Sequence, residues 1–222
     1  YLAVKSGRQA DKKAALLRLK SNSFKHIYPI YRTVFTPEEA LDFVRGRKRS
    51  DLVPGAYLSQ ATADAETYYP GWLSRTSFAE IKTYTHSVLL RDMDQMSMAH
   101  ALETRVPFFD HELVDMVFQF TDEVKWPHYP KALLVEAMGD LLPHDLVHRK
   151  KMGFVFPWEK WLREDLNSFA EARIGGLMER DLLDRKQLQQ VWSEFQKGEG
   201  PWIWPHIWLL VVLEEWMQNN GF

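Results

Sequence analysis

The chain has 222 residues, of which 45% are hydrophobic and 26% charged, an ordinary composition for a globular protein with a sizeable core. Its 28 basic and 30 acidic residues leave a formal net charge of −2, which gives no electrostatic ground for binding nucleic acid or an acidic membrane surface. Cysteine is absent, so a disulfide framework, a thiol nucleophile and a cysteine-rich zinc site are excluded, and a reducing, cytoplasmic setting fits.

The most apolar run, Ile207 to Leu213, is far short of the roughly 20 residues that cross a bilayer, so no membrane association is expected. Tyr1 to Lys20 carries polar and basic groups throughout and does not form a signal peptide. A first residue other than methionine suggests that an upstream part has been removed.

In chain order, Ala10 to Lys20 has the spacing of a short surface helix. Thr36-Pro37-Glu38-Glu39 is a helix start, with Thr36 as cap, Pro37 in the first turn and the acids near the positive end of the dipole; that helix should end near Gly46. The basic cluster Arg45 to Arg49 reads as a solvated loop. Pro54-Gly55 and Pro70-Gly71 bracket a stretch read as a loop-rich insertion over 47–76. Ser77 to Leu102 is predicted helical, with Ser77 and Glu80 as a capping box and a kink or break near Arg91.

Beyond Pro107, Asp110 is placed to cap a helix over Glu112 to Phe120. Further helices are predicted over Pro130 to Met138, Pro157 to Phe169, Asp184 to Phe195 and Pro205 to Met217. Alternation with period two is scarce, which makes the fold class all-α, an irregular multi-helix domain spanning 1–222. His144 and His148 stand at the i, i+4 spacing of a metal-binding pair, but no third ligand accompanies them, so they are read as surface or capping residues and no metal ligand is assigned.

The chemistry concentrates in one ungapped stretch, Asp94 to Asp110. Asp94, Ser97 and Ala101 fall at i, i+3 and i+7 and so should share a helix face, offering a carboxylate, a hydroxyl and a small side chain. Glu103 and Arg105 follow where the helix should end, and Pro107 holds Val106 extended. By themselves Glu103 and Arg105 could simply lock the turn through ion pairs. A second stretch, Arg149-Lys150-Lys151-Met152-Gly153-Phe154-Val155-Phe156-Pro157, sets clustered cations before a flexible glycine, an arrangement suited to phosphate or pyrophosphate.

Asp94, Met96, Ser97, Met98, Ala99, Leu102, Glu103, Arg105, Val106, Pro107, Phe108 and Asp110 match the pattern D-x-M-S-M-A-x-x-L-E-x-R-V-P-F-x-D. The chain thereby resembles the synthetase domain of the glutamine-hydrolysing asparagine synthetases, and the second stretch is similar to that family's K-x-G-F-x-x-P segment. Gln95 departs from the basic residue common in the family, which weakens any phosphate contact there. Resemblance implies the helical C-terminal half of an ATP-pyrophosphatase-type synthetase domain. It implies ATP and Mg²⁺ as cofactors of the full-length enzyme and small-molecule substrates. It also implies Lys151 as the catalytic cation, Lys150 as its fallback, and Asp94, Ser97, Glu103 and Arg105 as a substrate- or ATP-binding wall.

The family's glutaminase domain, its S-G-G-x-D-S phosphate loop and its G-x-G-x-D-E segment are not found in these residues. They are expected as partners within one longer polypeptide, and this chain alone is expected neither to turn over nor to bind ATP tightly. A homodimer is compatible with this reading. Two alternatives stay open: a non-catalytic helical binding or scaffold domain, and a family relative that amidates a sugar or a peptide.

Overall fold

The structure is a computed structural model and describes residues 16–19, 21–44, 56–129, 131–150 and 156–222. The predicted helix over Ala10 to Lys20 and the cluster Arg45 to Arg49 lie wholly or largely outside these residues. Helices carry the described chain. One isolated antiparallel bridge, Val44 to Leu183, is the sole extended pairing among the described residues. The all-α class is as expected. The described residues fall into two compact units, 16–19, 30–44 and 156–222 in one, 21–29, 56–129 and 131–150 in the other.

In the first unit the core is built by apolar side chains recurring at helical spacing. Leu188, Val191 and Phe195 line one face of the Arg185–Lys197 helix, and Ala170, Ile174 and Leu177 do so on Asn167–Glu179. Ile207, Leu210 and Val211 complete the core from Trp204–Asn219. Each fully buried Leu, Ile, Val or Phe contributes about 1.5–3 kcal/mol relative to exposure, so this three-helix contact dominates the unit's stability. Helix ends follow local chemistry. Asp184 accepts from the Lys186 and Gln187 N–H groups, and Gly198 takes a left-handed φ of 71° at the other end of that helix. Thr36 and Glu39 form a reciprocal capping box at 3.2 and 2.6 Å for Pro37–Phe43.

The predicted helix Pro157 to Phe169 is instead two, Trp158–Arg163 and Asn167–Glu179, separated by a turn in which Leu166 N–H reaches back to the Trp161 carbonyl at 2.7 Å. The turn frees the second helix to follow its own direction over the core. Arg163 ends the first helix, and its guanidinium donates to the Phe195 carbonyl at 2.9 Å.

Among the described residues, Glu214 is the one carboxylate buried with this core. Arg180 holds it with two bonds of 2.6 and 3.0 Å, and Gln218 adds a third of 2.8 Å. The Arg180 bonds, aided by Gln218 and by the charge of Arg173, outweigh burial and keep the Glu214 pKa below the usual carboxylate range. Gly176 makes the room: a Cβ there would stand 2.5 Å from Glu214 Oε1.

The second unit corrects two expectations. Residues 56–68, predicted as loop, form the thirteen-residue helix Ala56–Tyr68. Its buried face is made of small side chains, Ala61, Thr62 and Ala65, too weak an apolar stripe to announce a helix in sequence, and Ala65 joins Ala79 of the next helix in the unit's core. That next helix begins at Trp72, not Ser77, so Ser77 and Glu80 lie inside it and form no capping box. Glu80 instead accepts from the Tyr28 hydroxyl at 2.8 Å.

The helical run 72–98 has no break at Arg91. It is α-helical over Trp72–Glu80, π-helical over Ile81–Leu90 and α-helical again over Arg91–Met98, so the irregularity expected near Arg91 is a change of winding. The π stretch contains the β-branched Ile81, Thr83, Thr85 and Val88, which favour the α form weakly. The Thr83 hydroxyl also takes the Ala79 carbonyl four residues back at 2.6 Å.

Candidate functional site

The stretch Asp94 to Asp110 folds as a helix end, a sharp stop and an entry into the next helix. The stop is a Schellman motif. Leu102 N–H bonds the Ser97 carbonyl and Ala101 N–H bonds the Met98 carbonyl, each at 2.9 Å, with Ala101 at a left-handed φ of 56°. Ala101 is therefore past the helix and does not share a face with Asp94 and Ser97, contrary to the spacing argument. The Ser97 hydroxyl bonds the Asp94 carbonyl at 3.1 Å and lies 3.3 Å from the Thr104 hydroxyl, tying the helix end to the segment that leaves it.

Glu103 and Arg105 come next in extended chain and pair with each other, Arg105 Nη2 and Nε reaching Glu103 Oε1 at 2.8 and 3.0 Å. Their side chains are 70% and 84% exposed, so the pair is worth well under about 1 kcal/mol to the fold. It sets a guanidinium and a carboxylate side by side at the surface. Val106 is extended at φ −116°, as the following proline requires. Asp110 then caps His111–Phe118, accepting from the Glu112 and Leu113 N–H groups at 3.0 and 3.3 Å.

Asp94, Ser97, Glu103 and Arg105 are thus brought into one continuous surface segment, while the apolar members of the pattern stay uncovered: Met96 is 72% exposed, Leu102 61% and Phe108 63%. Lys150 is exposed in coil at the end of a described segment, and Lys151 lies outside the described residues. Within the first unit, Phe156, Trp158, Trp161, Trp204 and Trp208 form a contiguous aromatic cluster, with Trp158 and Trp208 centroids 4.8 Å apart. Among the described residues no group of three or more His, Asp or Glu side chains could hold a metal ion, and no helix is long and apolar enough to cross a membrane. A depression lined by Met178, Glu179, Arg180, Asp181, Leu183 and Arg185 contains none of the residues singled out in the sequence.

Sequence reasoning missed the polar cluster that anchors the signature helix at its far end. Asp122 accepts from the N–H groups of Leu73 and Ser74 at 2.7 and 3.0 Å and from the Ser74 hydroxyl at 2.5 Å; Lys125 donates to that hydroxyl at 2.8 Å. Burial alone would raise the Asp122 pKa, but the Ser74 and Leu73 bonds and the Lys125 charge prevail and lower it. Burial lowers the Lys125 pKa, against the opposing pull of Asp122. Pro70-Gly71 marked a turn, but nothing in the sequence tied it to an acid 49 positions from Leu73.

The architecture is that of an irregular all-α segment whose sequence signature lies at a helix exit. The family model described as asparagine synthase matches residues 4–218, and the chain belongs to that family. It is 33% identical over 103 residues to asparagine synthetase [glutamine-hydrolyzing] 1 of Bacillus subtilis (strain 168), an alignment covering 46% of this chain and 16% of that protein. With asparagine synthetase [glutamine-hydrolyzing] 3 of the same organism, identity is 35% over 128 residues, 52% of this chain and 19% of the relative. A putative asparagine synthetase [glutamine-hydrolyzing] of Mycobacterium tuberculosis (strain ATCC 25618 / H37Rv) is 26% identical over 162 residues, 71% of this chain and 25% of the relative. The alignments thus span a quarter or less of the relatives' own lengths. No solved structure gives a significant match.

Proposed function

We propose that this chain supplies part of the synthetase site of an ATP-dependent, glutamine-hydrolysing asparagine synthetase working in the cytoplasm. In that reaction an aspartate side-chain oxygen attacks the α-phosphorus of ATP and pyrophosphate leaves. Ammonia released from glutamine then attacks the acyl carbon, and AMP departs to give asparagine. Mg²⁺ bound with ATP supplies charge neutralisation on the phosphates. From this chain, Lys151, with Lys150 as the neighbouring cation, stabilises the phosphate charge, and Asp94, Ser97, Glu103 and Arg105 form a wall that positions substrate. Arg105 and Lys150 suit phosphate oxygens, and the described residues provide no acidic cluster of their own for the metal.

The observation that carries this reading is the local fold of Asp94 to Asp110. A Schellman stop, an extended exit and an Asp110 cap present Glu103 and Arg105 together at the surface. The exposed Met96, Leu102 and Phe108 beside them suit burial against further synthetase segments, with the glutaminase and ATP-loop parts of a longer polypeptide as the partners. The greater length of the relatives supports that assignment.

A chimera tests it. This chain replaces the matching segment of the Bacillus subtilis asparagine synthetase 1, and aspartate-dependent ATP–pyrophosphate exchange and asparagine formation are measured. Exchange within about tenfold of the parent is expected, falling at least about a hundredfold in Lys151→Ala. Arg105→Ala should lower exchange at least about tenfold while leaving stability within about 0.5 kcal/mol, since an exposed pair contributes little to folding. A folded chimera without exchange sinks the proposal. Exchange that requires a sugar or peptide substrate in place of aspartate keeps the adenylation chemistry and overturns the assignment to asparagine.

A further inference from the structure

The short helix His144–Val147 and the residue after it place His144 and His148 one turn apart, joined by a His148 N–H to His144 carbonyl bond of 3.2 Å. The spacing sets both rings on the same face. They meet there, with centroids 4.4 Å apart and planes tilted by 53°. Both residues are exposed, and among the described residues no side chain hydrogen-bonds to either ring.

We propose that His144 and His148 form a two-imidazole site for a late first-row divalent cation such as Cu²⁺ or Ni²⁺. Metal–nitrogen bonds of about 2.0–2.1 Å place the centroids of two imidazoles in adjacent coordination positions roughly 4.5–5 Å apart. The observed 4.4 Å is just below that range, so a small movement of the rings brings both imidazoles onto one ion. No third His, Asp or Glu is grouped with the pair among the described residues, so water or an oxygen ligand such as a phosphate or carboxylate fills the remaining positions. Binding is therefore exchangeable, and it locks the turn that leads two residues later to Lys150.

The test is titration of the purified chain with Cu²⁺ and with Ni²⁺, followed by calorimetry, together with electron paramagnetic resonance of the Cu²⁺ form. One equivalent is expected to bind with two coordinated nitrogens in the spectrum. His144→Ala and His148→Ala should each weaken that binding at least tenfold, while His128→Ala leaves it within twofold. Because both rings are exposed, the variants should keep the parent's circular dichroism, which confirms that loss of binding is not loss of fold. Affinity unchanged in the double variant would mean an adventitious ion only and would overturn the site. A spectrum with a single nitrogen would overturn it as well.

Discussion

Asp122 caps a helix that begins at Trp72, and Gly71 lacks a side chain where that carboxylate stands: a Cβ on Gly71 would collide with all three terminal atoms of Asp122. The preceding residue cannot cap the helix itself, since Gly71 carries no side-chain acceptor. A carboxylate from a distant segment takes its place and also engages the Ser74 hydroxyl and, through it, Lys125.

Asp122→Ala should destabilise the protein by about 2 kcal/mol, the upper end for loss of an N-terminal cap, because the Leu73 and Ser74 N–H groups lose their acceptor and Lys125 loses the neighbouring negative charge. Gly71→Ala should cost a similar amount by expelling the same carboxylate. Urea melts of the two variants and of the double variant measure this. The two losses should fail to add, since both remove one interaction; full additivity would show that Gly71 matters for another reason.

The lowered Asp122 and Glu214 pKa values carry a pH dependence whose sign is fixed. Each carboxylate binds its proton less readily folded than unfolded. The stabilisation is therefore present above the ordinary carboxylate range and is lost as pH falls through the depressed folded values. Stability followed from about pH 5 to pH 2 should decline, and Asp122→Asn should flatten part of that decline. An Asn variant with the same acid profile as the parent would exclude Asp122 as a contributor.

Gly176→Ala should cost about 1–3 kcal/mol, the range for overpacking a filled core, because the new methyl group meets Glu214 from the neighbouring helix. Gly175→Ala in the same helix meets nothing within 4 Å and should stabilise slightly through helix propensity. Removing either partner of the ion pair also differs by side. Arg180→Ala strands a carboxylate that is 2% exposed, whereas Glu214→Ala frees a guanidinium that is 21% exposed and can reach water. Thermal melts should show the lower Tm for Arg180→Ala.

Ala101→Gly should raise stability by about 0.5–1 kcal/mol. Relief of a left-handed alanine is worth roughly 1–2 kcal/mol, less the extra entropy that glycine gives the unfolded chain. Calorimetric Tm values for the two proteins decide it. A lower Tm in the glycine variant would mean that the alanine methyl group makes a contact worth more than the strain it carries.

Where interactions are short-range, the sequence was sufficient. Thr36 and Asp110 cap the helices their positions foretold, because a capping side chain bonds N–H groups two or three residues away and the pattern is complete within one turn. The signature Asp94 to Asp110 likewise determined the family, since its information lies in residue order. Tertiary structure decided the rest. Ala56–Tyr68 is helical by packing its small face, with Ala65 meeting Ala79, rather than by any strong apolar stripe of its own. Ala101 left the face of Asp94 and Ser97 because the chain turned left-handed one residue earlier than periodicity assumed. The Asp122 cap and the Gly176–Glu214 fit join residues dozens of positions apart. No local pattern encodes such pairs, because the distance between their members is set only once the helices have packed.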